Sequence, residues 1–183
     1  NLKKYDLVIV SDYGHGFISN KNASLISKRS NFLALNAQIN AANRGFHTMN
    51  KYKNLDCVII NETELRHELR DKNGQVNDLM KKLANQIKIK DLVVTQGSEG
   101  ATLYSKGSKK YYNVEAFASR IVDKIGSGDT MLSLISIFLK LNLDKTYSLL
   151  IGSLAASQSV GSMANKNLID KIKLIKAIDH TLK

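Results

Sequence analysis

The sequence contains no proline and a single cysteine, Cys57, among its 183 residues. One cysteine cannot form an internal disulfide, so the protein is expected to fold without a disulfide framework, in a reducing cytoplasm. Cys57 begins an apolar run over residues 57–60, which predicts a buried thiol rather than a nucleophile. Because the sequence also does not begin with methionine, we expect it to be part of a longer protein.

Long hydrophobic runs are also missing. The longest uncharged apolar stretches, residues 131–139 and 149–160, are too short and too rich in serine to cross a membrane. The first residues lead into a strand pattern instead of a secretory signal. We therefore expect no membrane partner, and the length predicts one domain, residues 1–183, with a substantial core.

Positive charge is abundant, whereas aromatic residues are few. The chain has 27 Lys and Arg against 16 Asp and Glu, which gives a net charge of +11. Such a surplus is typical of nucleic-acid-binding proteins. However, the lysines are spread along the chain, and only 7% of residues are aromatic, so no platform for stacked bases is indicated. We expect a solvated basic surface that attracts ATP and sugar phosphates, with nucleic-acid binding as the less favoured alternative.

Buried-strand patterns alternate with helical patterns along the chain. The predicted strands are 6–11, 32–36, 57–60 and 91–95, followed by a hairpin of 101–104 and 110–114. The predicted helices are 19–29, one that opens at 61–64, 76–89, 127–141, 144–162 and 166–182. This order predicts an α/β fold with a mostly parallel sheet and helices on both faces.

The segment Gly126-Ser127-Gly128-Asp129 directly precedes the apolar helix pattern that begins at Met131. Free N–H groups at such a helix start, together with the helix dipole, can hold a phosphate or a developing anion. Asp129 in the first turn could accept a proton from an incoming hydroxyl. This combination suits phosphoryl transfer, although an ordinary turn with a helix cap would use the same residues.

Other polar loops are expected at the same edge of the sheet, because ligands of parallel α/β sheets gather at the carboxyl ends of the strands. Asn61 and Glu64 stand at a strand-to-helix turn, where they could bind Mg²⁺ through water or simply cap the helix. A glycine-rich loop, which a nucleotide can approach or which merely turns into the hairpin, contains Thr95, Gly97 and Gly100. The remaining loops at this edge are 12–16 and 36–43.

In this order, the motifs resemble the ribokinase-like (PfkB) family of carbohydrate kinases over about residues 6–182. The family's Asp-Thr-x-Gly-Ala-Gly-Asp, Asn-x-x-Glu and Thr-x-Gly-x-x-Gly patterns correspond to residues 123–129, 61–64 and 95–100. Residues 11–16 are most similar to the heptose-phosphate kinase branch, the kinase half of ADP-heptose synthases. The resemblance implies a Rossmann-like three-layer core that lacks the N-terminal sugar-binding part and lid.

The resemblance also implies ATP-dependent phosphorylation of a hydroxyl on a sugar or sugar phosphate, such as a heptose phosphate. Asp129 would be the general base, and the anion hole would be Gly126, Ser127 and Gly128. The implied nucleotide contacts are Asn61, Thr95, Gly97 and Gly100. The implied metal ligands are Asn61 and Glu64 for Mg²⁺ through water, and Asp123 and the Ile125 carbonyl for a monovalent cation such as K⁺. The candidates for the acceptor side are Asp12, Gly14, Asn36 and Asn40.

The sequence departs from the family pattern at three positions, Lys124, Ser127 and Ser153, where Thr, Ala and Asn are commoner. Family members are also considerably longer, so the chain is expected to hold the ATP half and the base without most of the sugar site. It would then pair with the missing N-terminal segment, or form a homo-oligomer, through an open sheet edge. A non-catalytic nucleotide-binding or regulatory domain with the same loops is the alternative function.

Overall fold

A computed structural model describes residues 1–39, 49–117, 126–160 and 169–182. Within these ranges the strands are β1 (Val8–Asp12), β2 (Leu33–Ala37), β3 (Leu55–Asn61), β4 (Ile89–Thr95), β5 (Ala101–Ser105) and β6 (Lys110–Val114). The α-helices are α1 (Asn20–Arg29), α2 (Glu62–Leu69), α3 (Val76–Gln86), α4 (Ser127–Lys140), α5 (Lys145–Val160) and α6 (Lys171–Thr181). Short 3₁₀ turns occur at Leu2–Lys4, Met49–Lys51 and Gly97–Glu99.

The described strands form one six-stranded sheet in the order β1-β2-β3-β4-β5-β6. The first four strands are parallel, and β5 and β6 are added antiparallel as a hairpin. The parallel strands are rich in Val, Ile and Leu because both of their faces are covered. The predicted α/β fold with a mostly parallel sheet is therefore confirmed.

Helices cover both faces of this sheet. Alternate residues of one strand enter two separate apolar clusters, as Leu35 and Ala34 do on β2. The cluster that contains Leu35 includes residues of α1, α2 and α3, whereas the cluster that contains Ala34 includes residues of α4 and α5. Side chains alternate between the faces of a strand, so the sheet lies between two helical layers.

The lone cysteine is buried in the core as predicted. Cys57 is fully buried on β3, in the cluster shared with α4. Burial raises the pKa of the Cys57 thiol, and the nearby negative charges of Asp91 and Asp56 raise it further. The thiol is therefore protonated at neutral pH and packs as a small apolar side chain. Among the described residues, no helix combines the length and the apolar character needed to span a membrane.

The predicted bounds of two helices differ most from the structure. The helix predicted over 76–89 ends at Gln86, and Ile89 is instead the first residue of β4. Lys88 between them has a left-handed φ of 60°, so the helical path stops there and Ile89 pairs with Leu55 of β3. The last helix begins at Lys171 rather than at 166, because the Asp170 side chain caps its start.

Strand pairing also extends two strands into segments predicted as loops. Asp12 pairs with Ala37, and Ser11 pairs with Asn36, in the parallel register of β1 and β2. Asp12 therefore stands in a strand instead of the predicted loop, Asn36 lies within β2 as its predicted strand 32–36 allows, and both are 4% exposed. Their side chains have fixed positions at the carboxyl edge of the sheet.

Candidate active site

A row of polar side chains crosses the carboxyl ends of the parallel strands on the face covered by α4. This polar row consists of Ser11, Asn36, Asn61 and Thr95, one from each parallel strand. Ser11 pairs with Asn36, and Asn61 pairs with Thr95. Asn36, Asn61 and Thr95 each lie two residues after a residue that packs against α4. These packed residues are Ala34, Ile59 and Val93. Residues two apart on a strand share a face, so the polar row continues this apolar layer to its rim.

Helix α4 places its N-terminus beside the polar row. Its buried residues Met131, Leu132 and Ile135 belong to the same cluster as Ala34 and Ile59, which fixes the helix on the sheet. Gly126 is the residue before the helix and has a left-handed φ of 83°, which glycine adopts without strain. A Cβ on Gly128 would meet no described atom within 4 Å, so the first turn is open to a small anion.

Asp129 stands in the first turn of α4, as predicted, and its carboxylate is bonded to the end of β1. The Ser11 hydroxyl donates a hydrogen bond to Oδ1 over 2.9 Å. The Tyr13 hydroxyl donates one to Oδ2 over 3.3 Å. Both oxygens of the carboxylate therefore already accept hydrogen bonds from hydroxyl groups, which is what a base for an alcohol must do.

Asp12 faces the opposite layer and is held by a buried network. Its carboxylate accepts hydrogen bonds from the Tyr52 hydroxyl (2.6 Å) and the Gly14 N–H (2.9 Å), and lies 2.7 Å from the Lys51 ammonium. Burial alone would raise the pKa of Asp12, but the hydrogen bonds from Lys51, Tyr52 and Gly14 outweigh it and hold the pKa below its usual value. Lys51 also donates to the Ile18 carbonyl, so the network fixes the turn after β1.

Asn36 has an unpaired buried atom. Its Nδ2 donates to the Ile59 carbonyl over 2.7 Å, but its buried Oδ1 has no hydrogen-bond partner among the described residues. Buried carbonyl oxygens in folded proteins nearly always accept a hydrogen bond, from protein, water or ligand. This amide oxygen lies beside Ser11 in the polar row. The other predicted acceptor-side amide, Asn40, lies outside the described residues.

Asn61 and Glu64 form a reciprocal helix cap at the start of α2. The Glu64 N–H donates to Asn61 Oδ1, and the Asn61 N–H donates to Glu64 Oε2, each over 2.8 Å. The Ile39 N–H donates to the remaining Glu64 oxygen over 3.3 Å. Burial raises the pKa of Glu64, and the hydrogen bonds that its carboxylate accepts from the Asn61 and Ile39 N–H groups offset part of the rise. The capping alternative is thus realised in the structure.

The described residues do not form an all-protein cage for a metal ion. They contain no group of three or more His, Cys, Asp or Glu that could hold a metal ion. Both oxygens of the buried Glu64 carboxylate already accept backbone hydrogen bonds. A water-mediated role for Asn61 and Glu64 remains a prediction. The predicted ligands of a monovalent cation, Asp123 and Ile125, lie outside the described residues.

The predicted nucleotide loop connects β4 to β5, and its two glycines differ. Gly97 has a left-handed φ of 62°, and a Cβ there would meet no described atom within 4 Å. Gly100 has a φ of 92°, and a Cβ there would lie 2.0 Å from the Val114 carbonyl oxygen of β6. Gly100 is therefore required by the packing of the hairpin, whereas Gly97 presents exposed backbone next to Thr95.

The sequence does not reveal the partners of the two aspartates. Ser11 and Tyr13 belong to the strand end and loop around residue 12, and their contacts with Asp129 span 118 and 116 positions. The contact between Tyr52 and Asp12 spans 40 positions. The one available signal is that Ser11 ends an apolar strand run, where polar residues of α/β proteins gather into sites.

The sequence of the chain is similar to those of known carbohydrate kinases. A family model described as pfkB family carbohydrate kinase matches residues 28–171. The bifunctional protein HldE of Campylobacter curvus is 27% identical over 168 residues, which cover 90% of this chain and 35% of the relative. The HldE protein of Desulfatibacillum aliphaticivorans is 27% identical over 138 residues, covering 73% of the chain and 27% of the relative. The chain spans about a third of the length of the curated relatives it matches.

Solved structures share the fold at low sequence identity. The ribokinase of Arabidopsis thaliana complexed with ribose and ATP superposes with a TM-score of 0.77 at 20% identity, covering 96% of this chain and 56% of that one. The phosphofructokinase-2 of Escherichia coli in complex with potassium superposes with a TM-score of 0.79 at 16% identity, covering 97% of this chain and 57% of that one. The described architecture is therefore that of ribokinase-like proteins.

Proposed function

Because the chain belongs to the pfkB family of carbohydrate kinases, we propose that it carries the ATP-dependent phosphorylation of a hydroxyl on a sugar or sugar phosphate. The observation that supports this most is the Asp129 carboxylate, which stands in the first turn of α4 and accepts hydrogen bonds from two hydroxyl groups. The resemblance of residues 11–16 to the heptose-phosphate kinase branch favours a heptose phosphate as the acceptor class.

The proposed reaction needs a base and an anion site next to each other. Asp129 takes the proton of the acceptor hydroxyl while the hydroxyl oxygen forms a bond to the γ-phosphorus of ATP. The bond from that phosphorus to the bridging oxygen breaks, and ADP leaves. In such transfers positioning and charge stabilisation contribute most of the acceleration.

The proposed anion hole is the N–H groups of Gly126, Ser127 and Gly128. Three features support it: the glycine start of α4, the open space beside Gly128 and the helix dipole. Preorganised N–H groups stabilise negative charge that develops on a transferring group, because they need no reorientation during the step. Asp129 lies one residue beyond this turn, so base and phosphoryl group would be held by one element.

The proposed nucleotide contacts lie across the same edge of the sheet. Gly97, with its exposed backbone, is the contact that the geometry supports best, and Asn61, Thr95 and Gly100 are the other candidates. The donor would be ATP with Mg²⁺, although the described residues offer no cage that would ligate the metal directly. A monovalent cation at Asp123 and Ile125 is proposed on the family resemblance alone.

On the acceptor side we assign different roles to the predicted residues. The unpaired Oδ1 of Asn36 would accept a hydrogen bond from an acceptor hydroxyl. Asp12 is bonded to three protein donors, and Gly14 supplies one of them, so these two residues would shape the turn instead of contacting the sugar.

The experiment that tests this function is Asp129→Asn in the full-length protein, assayed with ATP and heptose phosphates. The variant should lower kcat by at least about 10²-fold, as loss of a general base does, with ATP affinity largely retained. Asp170→Asn is the matched control, because Asp170 caps α6 and asparagine caps equally well. Near-normal turnover of Asp129→Asn would overturn the role of Asp129, and a wild-type protein that releases no ADP with any sugar would favour the non-catalytic alternative.

A further inference from the structure

The two donors that bind the Asp129 carboxylate differ in how firmly they are held. Ser11 lies within β1, its backbone is paired with β2, and its hydroxyl is 2.9 Å from Oδ1. Tyr13 lies beyond the end of the strand, is 45% exposed, and its hydroxyl is 3.3 Å from Oδ2. A shorter bond from a residue within a paired strand holds its oxygen more firmly than a longer bond from a residue beyond the strand end.

The residue after Ser11 strengthens this difference. Asp12 is anchored by the Tyr52 hydroxyl at 2.6 Å and the Lys51 ammonium at 2.7 Å, in the opposite helical layer. Ser11 is therefore held by strand pairing with Asn36 and by the buried network that begins at the next residue. The backbone that carries the Ser11 hydroxyl is thus held on both sides.

We propose that the two oxygens of the Asp129 carboxylate have different roles, which are set by these two donors. This inference rests on the proposed function of Asp129 as the base. Ser11 is a positioning residue that holds Oδ1 and so fixes the plane of the carboxylate. The Tyr13 hydroxyl occupies, on Oδ2, the place that the acceptor hydroxyl takes during the reaction. Tyr13 yields this place to the sugar, whose proton then passes to Oδ2 as the new P–O bond forms and the bond to ADP breaks.

The first test is Ser11→Ala in the full-length protein, with Ser11→Thr beside it. Loss of the hydroxyl should lower kcat about tenfold and leave the KM for ATP unchanged, because the base remains but is no longer held. Threonine keeps a hydroxyl and suits a strand, so it should restore most of the rate. Ser133→Ala is the control, since the Ser133 hydroxyl bonds the backbone carbonyl of Asp129 and not its carboxylate.

A double variant distinguishes the positioning role of Ser11 from a merely structural one. Adding Ser11→Ala to an Asp129→Ala protein should not lower kcat any further, because the carboxylate through which Ser11 acts is already absent. A further loss in that background would overturn the positioning role. So would a Ser11→Ala protein that retains the wild-type kcat while Asp129→Asn is inactive. Retained turnover of Asp129→Asn would instead refute the role of Asp129 as the base, and a wild-type protein without turnover would refute the proposed function.

The role of the Tyr13 hydroxyl is tested with Tyr13→Phe. Without the competing hydroxyl, Oδ2 is open to the sugar, so the KM for the acceptor should fall about threefold while kcat stays within about twofold of wild type. A drop in kcat comparable to that of Ser11→Ala would show that Tyr13 also positions the carboxylate, and would overturn the division between the two oxygens.

Discussion

Asp12 shows how a single buried charge is accommodated in this protein. Its carboxylate is 4% exposed, and it faces a Lys51 side chain that is 13% exposed. Desolvation of both groups offsets much of their mutual attraction, so the intact pair contributes little net stability. Removal of one partner is different, because the other charge then remains buried without a counter-ion.

We therefore predict that Asp12→Asn lowers the free energy of unfolding by about 3 kcal/mol, measured by urea denaturation at pH 7. Glu62→Gln is the control, because it removes the partly exposed pair with Arg66 and should cost no more than about 0.5 kcal/mol. Equal effects of the two substitutions would contradict this account of the Asp12 network.

The same residue predicts a pH dependence. The folded-state pKa of Asp12 lies below its ordinary value of 3.8, so its ionisation stabilises the fold at pH values above 3.8. This contribution is lost as the pH falls through the lowered folded-state pKa. The stability difference between wild type and Asp12→Asn should therefore shrink in acid below 3.8, followed by urea denaturation at several pH values. A difference that stays constant would contradict the lowered pKa.

At this scale the sequence predicts positions better than contacts. The burial of Cys57 and the place of Asp129 in a first helical turn follow from local patterns, and both are confirmed. The bond from Ser11 to Asp129 is not predictable in this way, because it joins residues 118 positions apart and depends on how α4 packs on the sheet. One sequence carries no signal for such a pairing.

At the scale of elements, the connection between β4 and β5 combines two left-handed glycines with different surroundings. A Cβ on Gly97 would stand in open space, whereas a Cβ on Gly100 would lie against the backbone at the end of β6. Both positions disfavour an L side chain by their φ angles, but only at Gly100 would a Cβ also collide with a backbone oxygen. Backbone in a paired strand cannot move aside without loss of hydrogen bonds.

Gly100→Ala should accordingly destabilise the protein by more than about 2 kcal/mol, and Gly97→Ala by only about 1 kcal/mol, in urea unfolding. ATP titration by calorimetry then separates stability from binding. If Gly97 lines the nucleotide, Gly97→Ala weakens ATP binding in a protein that remains folded. Similar stabilities of the two variants would contradict the contact between Gly100 and Val114.

The order of elements is predictable, but several of their ends are not. Continuous apolar runs identify all four parallel strands, and apolar-polar alternation identifies the hairpin, in sequence order. The predicted boundary between α3 and β4 is misplaced because Ile87 and Ile89 continue an apolar pattern that suits either element. Pairing with β3 and the left-handed Lys88 decide that boundary, and neither is visible locally.

At the scale of the whole molecule, the surface carries a large excess of positive charge. The net charge is +11, and four ion pairs are found among the described residues. Most lysines therefore face solvent without a close acidic partner in the part of the chain that the structure describes. Mutual repulsion of such charges destabilises a compact fold, and salt weakens the repulsion.

We predict that raising NaCl from about 20 mM to about 150 mM increases the Tm by about 2–4 °C, measured by calorimetry. The double variant Lys21→Glu/Lys173→Glu lowers the net charge from +11 to +7, since each substitution removes two positive units. Both residues are exposed, so this variant should show a smaller salt effect. An unchanged or larger salt effect in the variant would contradict charge repulsion as the cause.

Neighbouring residues of β1 serve opposite layers of the molecule. Ser11 presents a donor to the Asp129 carboxylate, while Asp12 presents an acceptor to Tyr52 and Lys51. A slip of β1 by one residue would exchange their faces. Two carboxylates would then meet on one side, and Lys51 would face a serine on the other. The register of β1 is thus fixed by its polar end as well as by its apolar residues. A shifted strand would place Asp12 beside Asp129 and leave Lys51 without a carboxylate partner.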